Sequence, residues 1–165
     1  MFDIDVPGKI RFIESETLSP GNAITVIESA VCTFGLGICY DLRFPDLASL
    51  ATDAGAQLLL YPGAFNMVTG PLHWELLLRG RANDNQIHVA GVSPARDADA
   101  DYVAWGHSTL VDPWGKVVVG MDETPGTVVV DVDLADMAEV RSSIPIRTQR
   151  RPDVYFAFAS SSSTQ

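Results

Sequence analysis

The sequence predicts an α/β domain built on a mixed sheet with its helices on one face. Three observations carry that expectation. Strand-like and helix-like segments alternate from residue 31 to residue 92, the pattern of β-α-β units. Residues 57–61 read as a continuous apolar strand, as strands buried on both faces do. Pro45 and Pro71 stand where helices would begin, because proline has no N–H to leave unpaired in a first helical turn.

Taken in order, residues 1–12 read as a strand, a Val6-Pro7-Gly8-Lys9 turn and a second short strand. Thr17 to Gly21 is a loop, and Ile24–Glu28 and Val31–Cys39 form a hairpin around Ser29-Ala30. A helix from Pro45 stops near Ala54, where Gly55 supplies a C-terminal cap. After the strand at 57–61 comes a loop rich in Pro and Gly, then a helix from Pro71 to about Asn83 and a strand over Ile87–Val92. The segment 95–102 is a solvated loop. Ser108–Asp112 and Lys116–Val119 make a hairpin about Pro113-Trp114-Gly115, and Thr127–Asp133 is expected to be a further strand. Asp133 caps a last helix that runs to Ser142 and ends at Pro145. One domain is expected over 1–157, with a disordered serine-rich tail at 158–165. Helices on one face alone would leave the other sheet face apolar and uncovered.

At 165 residues and 47% apolar composition, the chain is long and apolar enough to fold around a core. A net charge of −10 gives no basic stripe for nucleic acid or an anionic membrane. No run approaches the length of a membrane span, and the acidic N-terminus has no signal-peptide pattern. Cys32 and Cys39 lie on one strand with no return of the chain between them, so they are expected to be free thiols in a cytoplasmic protein. No metal-ligand spacing or phosphate loop is present, and no cofactor is expected.

Cys39 stands where an apolar strand turns toward a helix. It can be a buried structural thiol or a nucleophile. Its position favours the second reading. The following helix would point its positive end at the sulfur and lower the thiol pKa, and the Tyr40 N–H could bind an oxyanion. Gly35 and Gly37 allow close backbone approach. Glu75, in the first turns of the helix from Pro71, is either a solvated acid or an orienting group at the sheet's ligand-binding edge. His73 and His107 are each more simply structural than partners of the thiol.

The runs Gly37-Ile38-Cys39-Tyr40-Asp41-Leu42-Arg43-Phe44-Pro45, Tyr61-Pro62-Gly63-Ala64-Phe65-Asn66 and His73-Trp74-Glu75-Leu76-Leu77, together with Ser93-Pro94-Ala95-Arg96 and Gly106-His107-Ser108, resemble the nitrilase superfamily of carbon–nitrogen hydrolases. The resemblance is strongest to its omega-amidase branch and runs from residue 2 to about 155. It implies an α-β-β-α sandwich, here incomplete, a homodimer in the complete protein, and a Glu-Lys-Cys triad. Cys39 matches the nucleophile, Glu75 a further acid, and the Tyr40 N–H an oxyanion donor. Phe65, Thr69 and His73 are expected to line the substrate pocket. The implied substrate is a small-molecule amide, the ω-amide of 2-oxoglutaramate or 2-oxosuccinamate, cleaved through a thioester. The triad lysine would precede the Phe2-Asp3-Ile4-Asp5 run and the glutamate would lie further upstream. Lys9 matches neither. The expectation is therefore a chain inactive alone, since a general base typically contributes ~10²–10⁴-fold. Alternatives are a non-catalytic fragment that binds a full-length partner and an amidase of the deaminated-glutathione type.

Overall fold

The computed structural model describes residues 1–8 and 10–155. Expectations for Lys9 and for the tail at 158–165 lie outside the described residues. The chain opens with a two-stranded hairpin, β1 (Asp3–Val6) and β2 (Ile10–Ile13), followed by a 3₁₀ turn at Glu14–Glu16. A second hairpin joins β3 (Thr25–Glu28) to β4 (Thr33–Leu36). The Ser29 hydroxyl closes it by donating to the Cys32 carbonyl at 2.6 Å and accepting the Val31 and Cys32 N–H groups.

Both expected β-α-β units are present. α1 (Pro45–Asp53) carries the chain from β4 to β5 (Leu58–Pro62), and α2 (Gly70–Asn85) carries it to β6 (His88–Val92). Pro sits at the start of both helices, and Gly55 takes φ +99° just past α1, a backbone shape that favours glycine. β7 (Thr109–Val111) and β8 (Val117–Gly120) complete a six-stranded sheet of order β3-β4-β5-β6-β7-β8. β4, β5 and β6 run parallel and the other neighbours antiparallel. α3 (Ala135–Ser143) and a short α4 (Ile146–Gln149) follow. The Asp133 carboxylate accepts the Ala135 N–H at the start of α3, close to the expected cap.

The core lies between the sheet and the helices. Trp74 and Leu78 of α2 press on Gly91 of β6, and Leu59 of β5 fills the space that a side chain at Gly35 would need. The opposite face holds Phe34 and Leu58 in one cross-strand row, and Leu36, Leu60, Ala90 and Leu110 in another, all half-buried. Ile27 and Val92 on that face are 46% and 54% exposed. An apolar face thus stays open on the side away from the helices, as the sequence led one to expect.

Two elements differ from expectation. The segment 127–133 forms no strand. Its β-branched run favours an extended chain, but a strand needs a ladder partner for its N–H and C=O groups, and it pairs with none among the described residues. Val129 is 91% exposed, while Val128 and Val130 lie over Ala90, Leu110 and Val119 on the open face. The strand expected to reach Cys39 ends at Leu36.

Candidate active site

Past β4 the Gly37 N–H still reaches the Leu60 carbonyl. A side chain at Gly37 would strike the Tyr61 ring at 2.6 Å, so the chain must be bare there to pass. It then tightens into a 3₁₀ turn, Cys39–Arg43. Asp41 reaches back to the Ile38 N–H at 2.8 Å and fixes the start of the turn. Cys39 itself takes φ +47°, a left-handed conformation costing roughly 1–2 kcal/mol in a non-glycine residue. Such strain persists where surroundings over-determine it. Here the buried Arg81 of α2 donates to the carbonyls of Leu42 (3.0 Å) and Arg43 (3.2 Å), gripping the turn from beneath.

The second wall comes from the loop after β5. Gly63 abuts the thiol residue so closely that a Cβ there would lie 2.6 Å from Cys39 Cα. The Ala64 carbonyl accepts from Cys39 Sγ at 3.8 Å and from the Tyr102 hydroxyl at 2.8 Å. Trp105 holds this loop in place, donating its N–H to the Phe65 carbonyl at 2.7 Å. Asn66 Oδ1 accepts the Val68 and Thr69 N–H groups, which shapes the entry to α2.

Burial raises the Cys39 thiol above its ordinary pKa, and the carboxylate of Glu14 adds to that rise. The backbone of Ala64, the Arg43 cation and the Tyr40 N–H pull the other way without overcoming burial. The expected lowering by a helix end therefore does not hold. Cys39 itself opens a short 3₁₀ turn rather than a long helix, and α1 starts only at Pro45. Desolvation then outweighs the local dipoles.

Two hollows meet at Cys39. One is lined by Glu14, Ile38, Cys39, Tyr40 and Asp41, the other by Phe2, Cys39, Tyr40, Arg43, Phe65, Thr69 and Tyr102. The structure thus gathers Cys39, Tyr40, Phe65 and Thr69 as the sequence suggested. His73 joins one step removed, through a 3.1 Å hydrogen bond between Arg43 Nη1 and its Nδ1. Glu75 does not join. It is exposed, pairs with Arg79 one helical turn on, and lines neither hollow, because the first turns of α2 turn Trp74 inward and the next residue out.

Sequence reasoning assigned no role to Glu14, Arg43, Tyr102 or Arg81. A signal existed for Arg43, which closes the same short turn that Cys39 opens. Glu14 and Tyr102 arrive from distant segments and leave no local trace. Among the described residues no group of three His, Cys, Asp or Glu side chains is placed to hold a metal ion, and no helix is long and apolar enough to cross a membrane. Chemically, the site offers a thiol on a fixed, strained turn, with one acid and one cation close enough to act on it.

That scaffold sets a thiol at the carboxyl edge of a mixed sheet backed by helices, the edge at which α/β sheets place their ligand sites. Residues 1–142 match the carbon–nitrogen hydrolase family model, and the chain belongs to that family. It is 61% identical to the omega-amidase NIT2 of Xenopus tropicalis over 94% of its length and 56% of the relative's. It is 59% identical to the omega-amidase NIT2 of Bos taurus, again over 94% of this chain and 56% of that one. The chain thus spans about half the length of these curated relatives. Among solved structures, Saccharomyces cerevisiae Nit3, a member of branch 10 of the nitrilase superfamily, superposes with a TM-score of 0.80 at 49% identity, covering 84% of this chain and 51% of Nit3.

Proposed function

We propose that this chain carries the nucleophile-bearing part of an omega-amidase-like hydrolase whose substrates are the ω-amides of 2-oxo dicarboxylic acids. The observation that carries the reading is the fixed seat of Cys39, left-handed at φ +47°, with Gly63 packed against its Cα and its Sγ donating to the Ala64 carbonyl at 3.8 Å, in a chain about 60% identical to omega-amidases. The Cys39 sulfur attacks the amide carbon. The C–N bond breaks, nitrogen leaves as ammonia, and water hydrolyses the thioester to the free acid. The Tyr40 N–H steadies the tetrahedral oxygen. Glu14 is the carboxylate that acts on the thiol within this chain and the candidate to take its proton.

The glutamate and lysine that the family resemblance implies find no match among these 165 residues. We therefore propose that these 165 residues form the thioester slowly and do not turn over alone. The test combines intact-mass measurement with ammonia release, using 2-oxoglutaramate and a Cys39→Ser control. The expected result is an acyl adduct on Cys39, absent in the variant, without sustained ammonia. Adducts elsewhere, or none on Cys39, would overturn the nucleophile. Sustained turnover dependent on Cys39 would overturn the claim of inactivity alone.

A further inference from the structure

We infer that Arg96 is a positioning residue for Cys39, acting from outside the site through the segment 102–105 that holds the loop behind the thiol. The inference rests on Cys39 being the reacting group and deepens that reading. Arg96 lines neither hollow at Cys39, so whatever it does there it does through other residues.

The loop 63–66 forms the wall against Cys39, and segment 102–105 is fastened along it. The Tyr102 hydroxyl donates to the Ala64 carbonyl at 2.8 Å, the Trp105 N–H donates to the Phe65 carbonyl at 2.7 Å, and Ala104 makes an isolated antiparallel bridge with Asn66. The Trp105 side chain also packs on Gly70 at the start of α2 and leaves no room for a Cβ there. Arg96 holds this segment in turn. Its Nη2 donates to the Trp105 carbonyl at 2.8 Å, its Nε donates to the Ala104 carbonyl at 3.4 Å, and its guanidinium lies 4.9 Å from the Trp105 ring centroid. The Arg96 backbone is itself anchored, its N–H donating to the Glu123 carbonyl at 2.8 Å.

A surface ion pair does not account for this arrangement. Arg96 and Glu123 stand 3.7 Å apart, and the Glu123 side chain is 44% exposed, a setting in which such pairs contribute little. The Arg96 side chain is only 21% exposed. It spends its fork on successive carbonyls of an irregular segment and lays its plane by an indole, a combination that a lysine ammonium cannot reproduce. Segment 102–105 has no ladder of its own to fix its course, so these bonds set it. The contacts then run from Arg96 to the carbonyls of Ala104 and Trp105, on to the carbonyls of Phe65 and Ala64, and so to Cys39 Sγ. A displacement of about 1 Å at a reacting atom can cost about 10²-fold in rate.

The test reads Cys39 in two ways in a Cys32→Ser background: acylation by 2-oxoglutaramate, followed by intact mass, and iodoacetamide alkylation across pH. Arg96→Met keeps the stem and loses the fork. It is expected to slow acylation roughly tenfold and to lower the midpoint of the alkylation–pH profile, because burial is what raises this thiol and a slackened wall exposes it. Arg96→Lys is expected to behave like Arg96→Met, since charge alone does not restore the fork. Glu123→Gln removes the ion pair and is expected to change neither readout. Val140→Ala, at a buried position of α3, serves as the control for lost stability, compared by urea unfolding. Unchanged acylation and midpoint in Arg96→Met, full rescue by Arg96→Lys, or the same changes in Glu123→Gln or Val140→Ala would each overturn the role. Should Arg96→Met not fold, Arg96→Lys decides by the same readouts. A parent chain with no adduct on Cys39 would sink the nucleophile instead, and the alkylation midpoint would still decide the role of Arg96.

Discussion

On one side of Cys39 the chain sets Glu14, held by the amide of Phe2; on the other it sets Arg43, held between two aromatic rings. The acid comes from the turn after β2 and reaches the thiol across a long loop. The cation comes from the thiol's own 3₁₀ turn. Their influences on the sulfur are opposite in sign, and burial tips the balance toward the neutral thiol. The lesson is that proximity in sequence and proximity in space deliver different charges to one atom. A reader of the local motif sees only the cation.

The contrast can be broken or sharpened experimentally. The largest effect is expected from Gly63→Ala, because the new methyl would meet Cys39 Cα at 2.6 Å. Both hollows would shift together, with a loss of about 1–3 kcal/mol in urea unfolding and a marked change in Cys39 alkylation. Next comes Cys39→Gly, which removes the thiol but relieves φ +47°. A gain of ~1 kcal/mol is expected against Cys39→Ala, which would show that the turn stores strain independently of either charged neighbour.

The Tyr61 ring lies against Gly37, and its hydroxyl is buried without a partner among the described residues. Burial pushes it up to about 12 from 10.0. A raised acid contributes stability that is complete below pH 10.0 and lost as pH rises toward 12. Tyr61→Phe should therefore match or exceed the parent by up to ~1 kcal/mol at neutral pH and flatten the fall in melting temperature at alkaline pH. The smallest effect is the most diagnostic. Glu14→Gln should lower the midpoint of the Cys39 alkylation–pH profile and Arg43→Gln should raise it. Shifts of the same sign would mean that the two charges do not act on the sulfur separately.

The fold was legible where one physical rule acted locally. Apolar runs, Pro45, Pro71 and Gly55 marked both β-α-β units, because strand burial and helix ends are decided within a few residues. The segment 127–133 shows the limit, since its pattern promised a strand but a strand exists only with a partner. The same divide runs through the site. Cys39, Tyr40, Phe65 and Thr69 were readable from the motif and the adjacent loop. The left-handed turn at Cys39, the grip of Arg81 and the arrival of Glu14 and Tyr102 depend on packing between distant segments. The pKa direction was misread for the same reason, since burial is a property of the folded neighbourhood rather than of a motif.

The hydrogen bond between Arg43 and His73 has a spectroscopic consequence. A guanidinium can only donate, so the imidazole Nδ1 must be its acceptor and the proton must sit on Nε2. His73 is thereby locked into one tautomer with distinct ¹⁵N resonances. Loss of that contact would let the ring exchange between tautomers, so a single labelled histidine would report the state of the turn that carries Cys39.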